Sequence, residues 1–518
     1  MTQPFRKICS GPATARIVVV GEAPGATEDR LGIPFSGASG DLLTTMMLRA
    51  GIKREDCFIT NVAHERPPGN DFGAFLKPKA HPLLPAWLLE LKQDIQLIRP
   101  NVVVALGNIP LRVTTGKVGI SRWRGSVLNS ILVPGVKVIP TYHPAHILRQ
   151  WAWNQVSMVD WRRVAADSAY SQLDTPVRTF HINPPREEWP VIVERLSNAD
   201  RLAFDIECSS GAGSWHLTCI GFADSPVEGF TFQGHDPLTL DLARQILSSP
   251  GKKIAQNGQF DISFLKRYGV EVNNFWFDTM YAQHCCHPEF DKGLDFLASI
   301  YTREPYYKDE GKTWQQTGNV ETLLRYNCKD AMVTFECHQR LAEELTELGT
   351  WDIFQQEMSL VRPLSKMMET GVRINVVERE KLKEKYISER DRLQAGLDSA
   401  LGRSINVQSP LQVGKLIYEE LDLPRRYNKK TGASTTSEEA LEELAAKTGN
   451  PILRDIVSIR HKRKMLSTYL SAEVDSDSRI RCEFKIAGTK TGRLSSSQSM
   501  FGSGTNLQNI PDGARGMF

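Results

Sequence analysis

The chain has 518 residues, of which 41% are hydrophobic and 24% are charged, and both fractions are ordinary for a soluble globular protein. Because a single hydrophobic core stops growing near about 250–300 residues, we expect roughly three or more domains. The formal charge of +3 permits nucleic-acid binding without requiring it, so any such binding must come from local patches. With no apolar run of roughly 18 residues and no signal-peptide pattern, we expect a cytoplasmic protein without a membrane anchor.

The nine cysteines are scattered through the chain, and their odd number without any Cys-x-x-Cys spacing indicates reduced thiols. The run His284-Cys285-Cys286-His287 could suggest a metal site. Four consecutive residues, however, cannot all face one tetrahedral ion. The run also lies within a helical pattern, so we interpret it as a buried or half-buried helix segment.

Four apolar runs rich in β-branched residues mark the first third of the chain, at residues 16–20, 57–60, 101–105 and 136–139. Helical patterns such as residues 40–49 and 85–91 separate them. This alternation predicts a mostly parallel α/β sheet. A polar or Gly-rich motif follows each strand, and open α/β sheets bind ligands at the carboxyl ends of their strands. The layout therefore predicts one pocket at that edge.

The motifs are GEAPGATEDRLGIPFSGASGDLL (21–43), TNVAHERPPGN (60–70), ALG (105–107) and YHPAHILR (142–149), and together they resemble the family-4-type uracil-DNA glycosylases. The resemblance implies that Glu22 activates a water or stabilises the sugar cation. His143 would stabilise negative charge on the departing base. Phe35 would stack a flipped-out uracil, and Asn61 would read its polar edge. The loops at residues 67–69 and 122–125 would meet DNA.

One departure from that family concerns its iron–sulfur cluster, which many members hold with four cysteines. Only Cys9 and Cys57 precede residue 200 here, and Glu65 stands where a cysteine is expected. Since four thiolates are required, we expect no cluster. We interpret His64 in the same loop as structural or solvated, not as a nucleophile. The alternative for the whole segment is a DNA- or uracil-binding module without catalysis, but the pocket residues are all present and we expect activity.

A proline-containing linker at residues 171–185 separates this segment from three carboxylate motifs. In the first motif, Asp205 and Glu207 alternate along a predicted strand and so share one face. Asp261 and Asp330 lie on sequences with helical patterns. Four carboxylates brought together repel one another, so the cluster needs cations, and all-oxygen ligation suits Mg²⁺ or Mn²⁺. Two such ions about 4 Å apart would clamp the attacking water and the leaving oxygen of a phosphodiester.

The order FDIE (204–207), NGQFD (257–261) and YNCKD (326–330) resembles the proofreading 3′–5′ exonuclease domain of family A DNA polymerases over residues 178–348. The resemblance implies a ribonuclease H-like fold that acts on single-stranded 3′ ends of DNA. It makes Asp205, Glu207, Asp261 and Asp330 the metal ligands. Tyr326 would orient the attacking water, and Asn257 would support the loop of the second motif. Solvated acids at strand and helix ends are the alternative.

From about residue 349 the sequence becomes helical and charged and ends with GTKTGRLSSS (488–497) and NLQNIP (506–511). These motifs resemble the thumb and the first palm strands of family A DNA polymerases. The resemblance implies that a basic run contacts the phosphates of primer–template duplex. The residues of this run are Arg460, Lys462, Arg463 and Lys464. Arg493, Asn506 and Gln508 would contact the minor groove of that duplex.

The predicted domains are a uracil-DNA glycosylase-like domain (1–172), an exonuclease domain (178–348) and an incomplete thumb and palm (349–518). The polymerising aspartates of family A lie beyond NLQNIP. We therefore expect a truncated polymerase or one part of a split polymerase that a second polypeptide completes. A glycosylase-like domain ahead of a proofreading polymerase resembles certain bacteriophage replicative polymerases, so the expected location is the cytoplasm of a bacterial cell or a phage-infected host.

Overall fold

The computed structural model of the protein describes residues 7–77, 80–211, 214–428 and 431–518, with the side chains of 210, 211, 214, 313, 315 and 316 left aside. The chain forms two units, residues 1–358 and 359–518. None of the helices in the described ranges is long and apolar enough to cross a membrane.

The first unit begins with a five-stranded sheet of order β2-β1-β3-β5-β4. Its strands are β1 (Ile17–Gly21), β2 (Cys57–Asn61), β3 (Val102–Leu106), β4 (Leu128–Asn129) and β5 (Lys137–Thr141). The four long strands are parallel, and only the two-residue β4 runs antiparallel to its neighbour. The mostly parallel sheet expected from the sequence is confirmed. The short strand β4 carries no clear sequence pattern and was not predicted.

Helices cover both faces of this sheet, which explains why its strands are apolar throughout. They are α1 (Ala26–Leu31), α2 (Ala38–Arg49), α3 (Leu84–Ile98), α4 (Asn108–Thr115), α5 (Ile120–Trp123), α6 (Pro144–Arg149) and α7 (Trp153–Asp167). Val19 packs with Met47 and Trp161 on one face, and its neighbour Val18 packs with Trp87 on the other. Every residue of β1, β2, β3 and β5 is buried.

A second, mixed sheet of six strands follows, with the order β11-β10-β7-β8-β9-β6. Its strands are β6 (Thr179–Ile182), β7 (Arg201–Gly211), β8 (Ser214–Ala223), β9 (Glu228–Gln233), β10 (Lys252–Ala255) and β11 (Phe275–Asp278). The strands β7, β8 and β9 are antiparallel neighbours, whereas β10 and β11 run parallel to β7.

The helices of this second sheet are α8 (Trp189–Ser197), α9 (Pro237–Leu247), α10 (Gly258–Lys266), α11 (Thr279–Cys286), α12 (Leu294–Tyr301), α13 (Asp309–Thr317), α14 (Val320–Glu347) and α15 (Trp351–Thr370). The 28-residue α14 lies across β7, β8 and β9. Its inward face mixes apolar residues such as Leu323 and Leu341 with buried polar ones, Asn327 and Asp330. Polar groups on a buried helix face need partners, and here they face the strand that carries Asp205.

The second unit is mainly helical, as the sequence predicted. It contains α16 (Val376–Leu401), α17 (Pro410–Lys415), α18 (Glu438–Thr448) and α19 (Pro451–Lys464), and α17 and α19 each continue into a π-helical turn. Two small antiparallel sheets complete the unit: β12 (Val372–Arg373) with β13 (Arg479–Ile480), and β14 (Cys482–Lys485) with β15 (Ser495–Gln498).

Candidate active sites

The second, six-stranded sheet and α14 bring three carboxylates together. We call Asp205, Glu207 and Asp330 the carboxylate cluster. One oxygen from each lies within 4.8 Å of the others. Asp205 and Glu207 reach the same side of β7 because strand side chains alternate, and Asp330 approaches from α14. Three anionic oxygen donors at this separation are a donor set that Mg²⁺ or Mn²⁺ accepts.

Asp261 lies beside this cluster in the first turn of α10, where Oδ1 accepts a hydrogen bond from the backbone N–H of Ile206 at 3.1 Å. Ile206 is the residue between the two acids of β7, so Asp261 is fixed to the strand that carries them. The α10 helix begins after Asn257, whose φ of +58° is left-handed and suits asparagine. Asp278, which the sequence analysis missed, accepts the N–H groups of Asn257 and Gly258 and so fixes this turn.

Two further residues contact Asp330 and were not predicted. Tyr307 donates its hydroxyl to Asp330 Oδ1 at 2.5 Å, and Lys308 donates Nζ–H to Asp330 Oδ2 at 2.6 Å. Lys308 Nζ also donates to the hydroxyl of Tyr326 at 2.8 Å. Tyr326 and Asp330 are four residues apart on α14 and therefore share a face. Lys308 lies outside the three carboxylate motifs, so only the folded arrangement reveals it.

Asn327 is a third residue that the motifs did not indicate. It is fully buried, and its Nδ2 donates to the backbone carbonyl of Asp205 at 3.1 Å and to Asp205 Oδ2 at 2.7 Å. A carboxylate held through one oxygen has a fixed direction for the other. Asn327 therefore orients Asp205 within the cluster.

Burial and mutual repulsion favour the protonated forms of these acids. Burial, followed by the negative charge of Asp330, raises the pKa of Glu207 to about 7 and raises the pKa of Asp205 well above its usual range. Burial raises the pKa of Asp261 to about 8. The pKa of Lys308 is also raised. Burial lowers this pKa, but the negative charges of Asp330, Asp205 and Glu207 raise it by more than burial lowers it. The ionised forms of these acids are therefore unfavourable unless a cation binds at the site.

The four residues predicted for the N-terminal pocket are brought to the carboxyl edge of the first sheet. Asn61 ends β2 and Gly21 ends β1, and a Cβ at Gly21 would overlap both the Asn61 amide and the ring of Phe35. The rings of Phe35 and His143 have centroids 5.7 Å apart and are tilted by 33°. Glu22 directly follows β1 and is half-buried. Glycine at position 21 thus lets the stacking and amide groups approach each other.

The protonation of His143 follows from its hydrogen bond. Its Nδ1 accepts the backbone N–H of Ala145 at 3.1 Å, and burial lowers the pKa of the imidazole to about 4. The neutral ring therefore carries its proton on Nε2, where it can be donated. Burial, followed by the charge of Asp71, raises the pKa of Glu22.

Glu28 is a positioning residue that the sequence analysis missed. Its Oε1 accepts the N–H groups of Ser36 at 3.1 Å and Gly37 at 3.2 Å. These bonds fix the residues directly after Phe35, whose φ of +49° is unusual for a bulky side chain. The aromatic ring is thus held in a conformation that the sequence alone would not favour.

The region expected for an iron–sulfur cluster does not offer four thiolates. Residues 1–200 contain only Cys9 and Cys57. Glu65 instead faces His81, with its carboxylate 3.6 Å from Nε2. The neighbouring His64 is buried and its Nδ1 accepts the N–H of Ile8 at 3.4 Å, which is a structural contact. These residues do not fit the cluster.

The His284–His287 run begins on α11 and continues to the residue that caps it, as interpreted from the sequence. Its two histidines face different carboxylates: His284 Nδ1 lies 2.9 Å from Glu357, and His287 Nε2 lies 2.7 Å from Glu344. The two imidazoles therefore do not converge on one ion.

The basic run of α19 divides into two pairs. Arg460 donates to the backbone carbonyls of Val407 at 2.7 Å and Thr436 at 2.6 Å, and Lys462 pairs with Glu389. Arg460, Arg463 and Lys464 all line a groove of about 970 Å³. Lys464 is exposed and Arg463 is half-buried, whereas the half-buried Arg460 and Lys462 bond to protein groups.

The remaining predicted DNA contacts lie near the small sheets of the second unit. Arg493 and Gln508 are exposed, and Asn506 is half-buried. Asn506 accepts the backbone N–H of Gln508 at 2.8 Å, and the Gln508 amide donates to the carbonyl of Leu494 at 3.3 Å. These bonds join the two motifs, GTKTGRLSSS and NLQNIP, into one surface.

Comparison with known families divides the chain into three matched segments. The profile of the uracil DNA glycosylase superfamily matches residues 9–163, that of the 3′-5′ exonuclease matches residues 184–346, and that of DNA polymerase family A matches residues 377–517.

Individual relatives agree with these matches. The type-4 uracil-DNA glycosylase of Thermotoga maritima is 42% identical over 141 residues, which are 27% of this chain and 69% of the relative. The DNA polymerase I of Synechocystis sp. is 31% identical over 285 residues, which are 52% of this chain but 28% of that polymerase. The chain thus spans less than a third of that polymerase.

Among solved structures, the POL domain of the M. smegmatis polymerase in complex with DNA primer-template and dNTP shares the fold, with a TM-score of 0.54 and 22% identity. The match covers 66% of this chain and 57% of that structure.

The raised pKa values of the acids predict how thermal stability depends on pH and metal. Without divalent cations, stability should fall as the pH rises from about 5 to about 8, because the folded state holds protons that the unfolded chain has already released. Mg²⁺ binds the ionised carboxylates, so it should raise the melting temperature more at pH 8 than at pH 5. Thermal melts with EDTA or Mg²⁺ measure both effects. An equal Mg²⁺ effect at both pH values, or the same effect in Glu207→Gln, would contradict the assignment.

Proposed function

Because residues 9–163 place this chain in the uracil-DNA glycosylase superfamily, and residues 184–346 and 377–517 match the 3′-5′ exonuclease and DNA polymerase family A, we propose that it is a proofreading enzyme that also excises uracil from DNA. We divide it into domains at residues 1–172, 178–348 and 349–518. The observation that carries the exonuclease proposal is the convergence of Asp205, Glu207 and Asp330 beside Tyr326.

The exonuclease segment implies dependence on a divalent metal. We assign the carboxylate cluster and Asp261 as ligands of two Mg²⁺ or Mn²⁺ ions, which when bound would activate water and stabilise the leaving oxygen of a phosphodiester. Tyr326 presents its hydroxyl beside Asp330 and would orient the attacking water. Asn327 holds one oxygen of Asp205, which leaves the other free for the cluster. The substrate that fits is a single-stranded or frayed 3′ end of DNA.

The N-terminal pocket supports base excision through groups with separate tasks. Phe35 provides a stacking face and Asn61 an amide, which are what recognition of a flipped-out uracil needs. The neutral His143 can donate its Nε2 proton toward the departing base. Glu22 is placed to activate a water or to stabilise the sugar cation. Since all four groups meet at one edge of the sheet, excision is favoured over a module that only binds.

The second unit supplies a surface for primer–template duplex. Arg463 and Lys464 would contact phosphates from the groove beside α19, and Arg493, Asn506 and Gln508 would approach the minor groove. Arg460 and Lys462 would act mainly by holding α19 against its neighbours, because their charges already have protein partners. A phage origin belongs to the same proposal.

Asp205→Ala should abolish 3′–5′ exonuclease activity, since it removes a proposed metal ligand. The purified chain with Mg²⁺ should shorten a 3′-labelled single-stranded oligonucleotide, and the variant should not. Asp241→Ala is the matched control, because Asp241 is an exposed acid on α9 that pairs with Arg244. Full activity in the Asp205 variant would reject the site.

His143→Gln should lower uracil excision by about 10²–10³-fold, the usual cost of removing one donor to developing negative charge. Alkaline cleavage of a uracil-containing oligonucleotide measures the rate, and unchanged exonuclease activity verifies folding. Binding of uracil-DNA by the wild type without any excision would favour the non-catalytic module instead.

A double variant, Arg463→Ala with Lys464→Ala, should reduce the log–log salt dependence of duplex binding by about 1.8 units, since each phosphate contact contributes about 0.9. Fluorescence anisotropy at several salt concentrations gives the slope. Lys447→Ala with Arg454→Ala removes the same charge from exposed positions outside the groove and should leave the slope unchanged. Equal slopes for both double variants would remove the groove from the proposed DNA path.

A further inference from the structure

One segment of the first unit connects the exonuclease carboxylates to the glycosylase domain. It runs from Ser299, in the last turn of α12, to Asp309 at the start of α13, and we call it the strap. Its final part carries Tyr307 and Lys308, which both donate to Asp330, at 2.5 Å and 2.6 Å. Lys308 is also bonded to the Tyr326 hydroxyl. The strap thus contributes directly to the arrangement of the proposed active site.

The first half of the strap is bonded to the glycosylase domain by two arginines, the buried Arg124 and the half-buried Arg163. Arg163 of α7 donates to the carbonyls of Ile300 at 3.1 Å and Thr302 at 2.8 Å. Arg124 donates to the Ser299 hydroxyl at 2.9 Å and forms a buried ion pair with Asp160. Buried charges with fixed partners hold a defined geometry, because losing a partner is costly.

The second half is held by additional contacts with the same domain. The backbone N–H of Tyr306 donates to the Ser126 hydroxyl at 3.3 Å, and the rings of Tyr306 and Trp123 lie 5.3 Å apart, edge to face. Arg303 donates to the fully buried Asp167 at 2.8 Å and 3.1 Å. The attachment therefore extends along the strap to the residue directly before Tyr307.

Close approach of the two domains depends on Gly125. Its φ is +74°, a left-handed conformation, and a Cβ there would collide with the Asp160 carboxylate and come too close to the carbonyl of Ser299. The backbone of one domain therefore lies directly against the strap. Such close packing fixes the position of the strap relative to the glycosylase domain and leaves little room for the two to move independently.

We propose that the glycosylase domain holds the strap and thereby sets Lys308 as a positioning residue for Asp330 and Tyr326 in the exonuclease site. This inference rests on the proposed exonuclease function and deepens it. The Lys308 ammonium offsets the charge of Asp330 and fixes the hydroxyl of Tyr326. Residues 299–306 hold that ammonium in place through their contacts with the glycosylase domain, and Glu304 adds an ion pair with Arg178 of the exonuclease domain at 2.9 Å.

The first test replaces Lys308. Lys308→Met should lower the exonuclease kcat by about 10- to 100-fold with little change in KM, the range found when a group that orients metal ligands is lost. Lys308→Arg should recover most of kcat, because it keeps a donor and a positive charge. Lys312→Met is the matched control, since Lys312 lies on α13 and contacts Asp309 at 3.5 Å from an exposed position. Activity is followed on a 3′-labelled oligonucleotide over a range of Mg²⁺ concentrations.

The second test breaks the attachment without touching the active site. Arg163→Met should lower kcat by roughly 2- to 30-fold, a usual range for coupling between sites. It should add little to Lys308→Met in the double variant, because both changes act on the same lysine. Ser126→Ala is a milder variant that removes one acceptor from Tyr306 and should reduce kcat in the same direction. Retained uracil excision and a single cooperative melting transition verify folding of each variant.

The outcomes separate this inference from the proposed function. An inactive wild-type chain overturns both. An active wild type with Lys308→Met at full kcat overturns the inference alone. If the losses of the Arg163→Met and Lys308→Met variants multiply in the double variant, the role of the glycosylase domain is overturned. If Lys312→Met loses activity as the other lysine and arginine variants do, the specific role of Lys308 is overturned.

Discussion

Repulsion among the carboxylates gathered on the second sheet is the constraint that determines which partners and ions this site needs. Asp205, Glu207 and Asp330 place oxygens within 4.8 Å of one another in a partly buried site, where ionised acids are costly. The protein offsets this cost with the amide of Asn327 and the ammonium of Lys308. These partners cannot neutralise three charges, so the arrangement is most stable when a cation binds. An oxygen site of this kind suits phosphodiester hydrolysis with metal assistance.

The N-terminal pocket, at the edge of the five-stranded sheet, has a different electrostatic character. There burial lowers the pKa of His143 to about 4, which makes its imidazole a neutral donor, and burial also raises the pKa of Glu22. A neutral donor next to an aromatic face suits an uncharged base better than a phosphate. The first unit therefore holds one site that gathers carboxylates for cations and another that presents a neutral donor, and the strap connects the two domains that carry them.

Much of this arrangement could be predicted from the sequence. The valine-rich runs predicted the parallel strands because a strand buried on both faces must be apolar, and the alternation of Asp205 and Glu207 predicted their shared face. Contacts between distant segments could not be predicted. Lys308 is one charged residue among many until folding places it on Asp330, and the basic run of Arg460 gives no sign of the two backbone carbonyls that its guanidinium contacts. Local patterns determine elements, whereas tertiary contacts determine the partners of long side chains.

The central claim is that the carboxylate cluster is a divalent-metal site, and anomalous scattering from crystals of the full chain soaked in Mn²⁺ tests it most directly. The account predicts manganese peaks bonded to Asp205, Glu207 and Asp330. His284, Cys285 and Glu357 also offer ligand atoms within 4.8 Å of one another and serve as an internal comparison. Manganese at that second group, or at neither, with the carboxylate cluster empty at saturating Mn²⁺, would contradict the account.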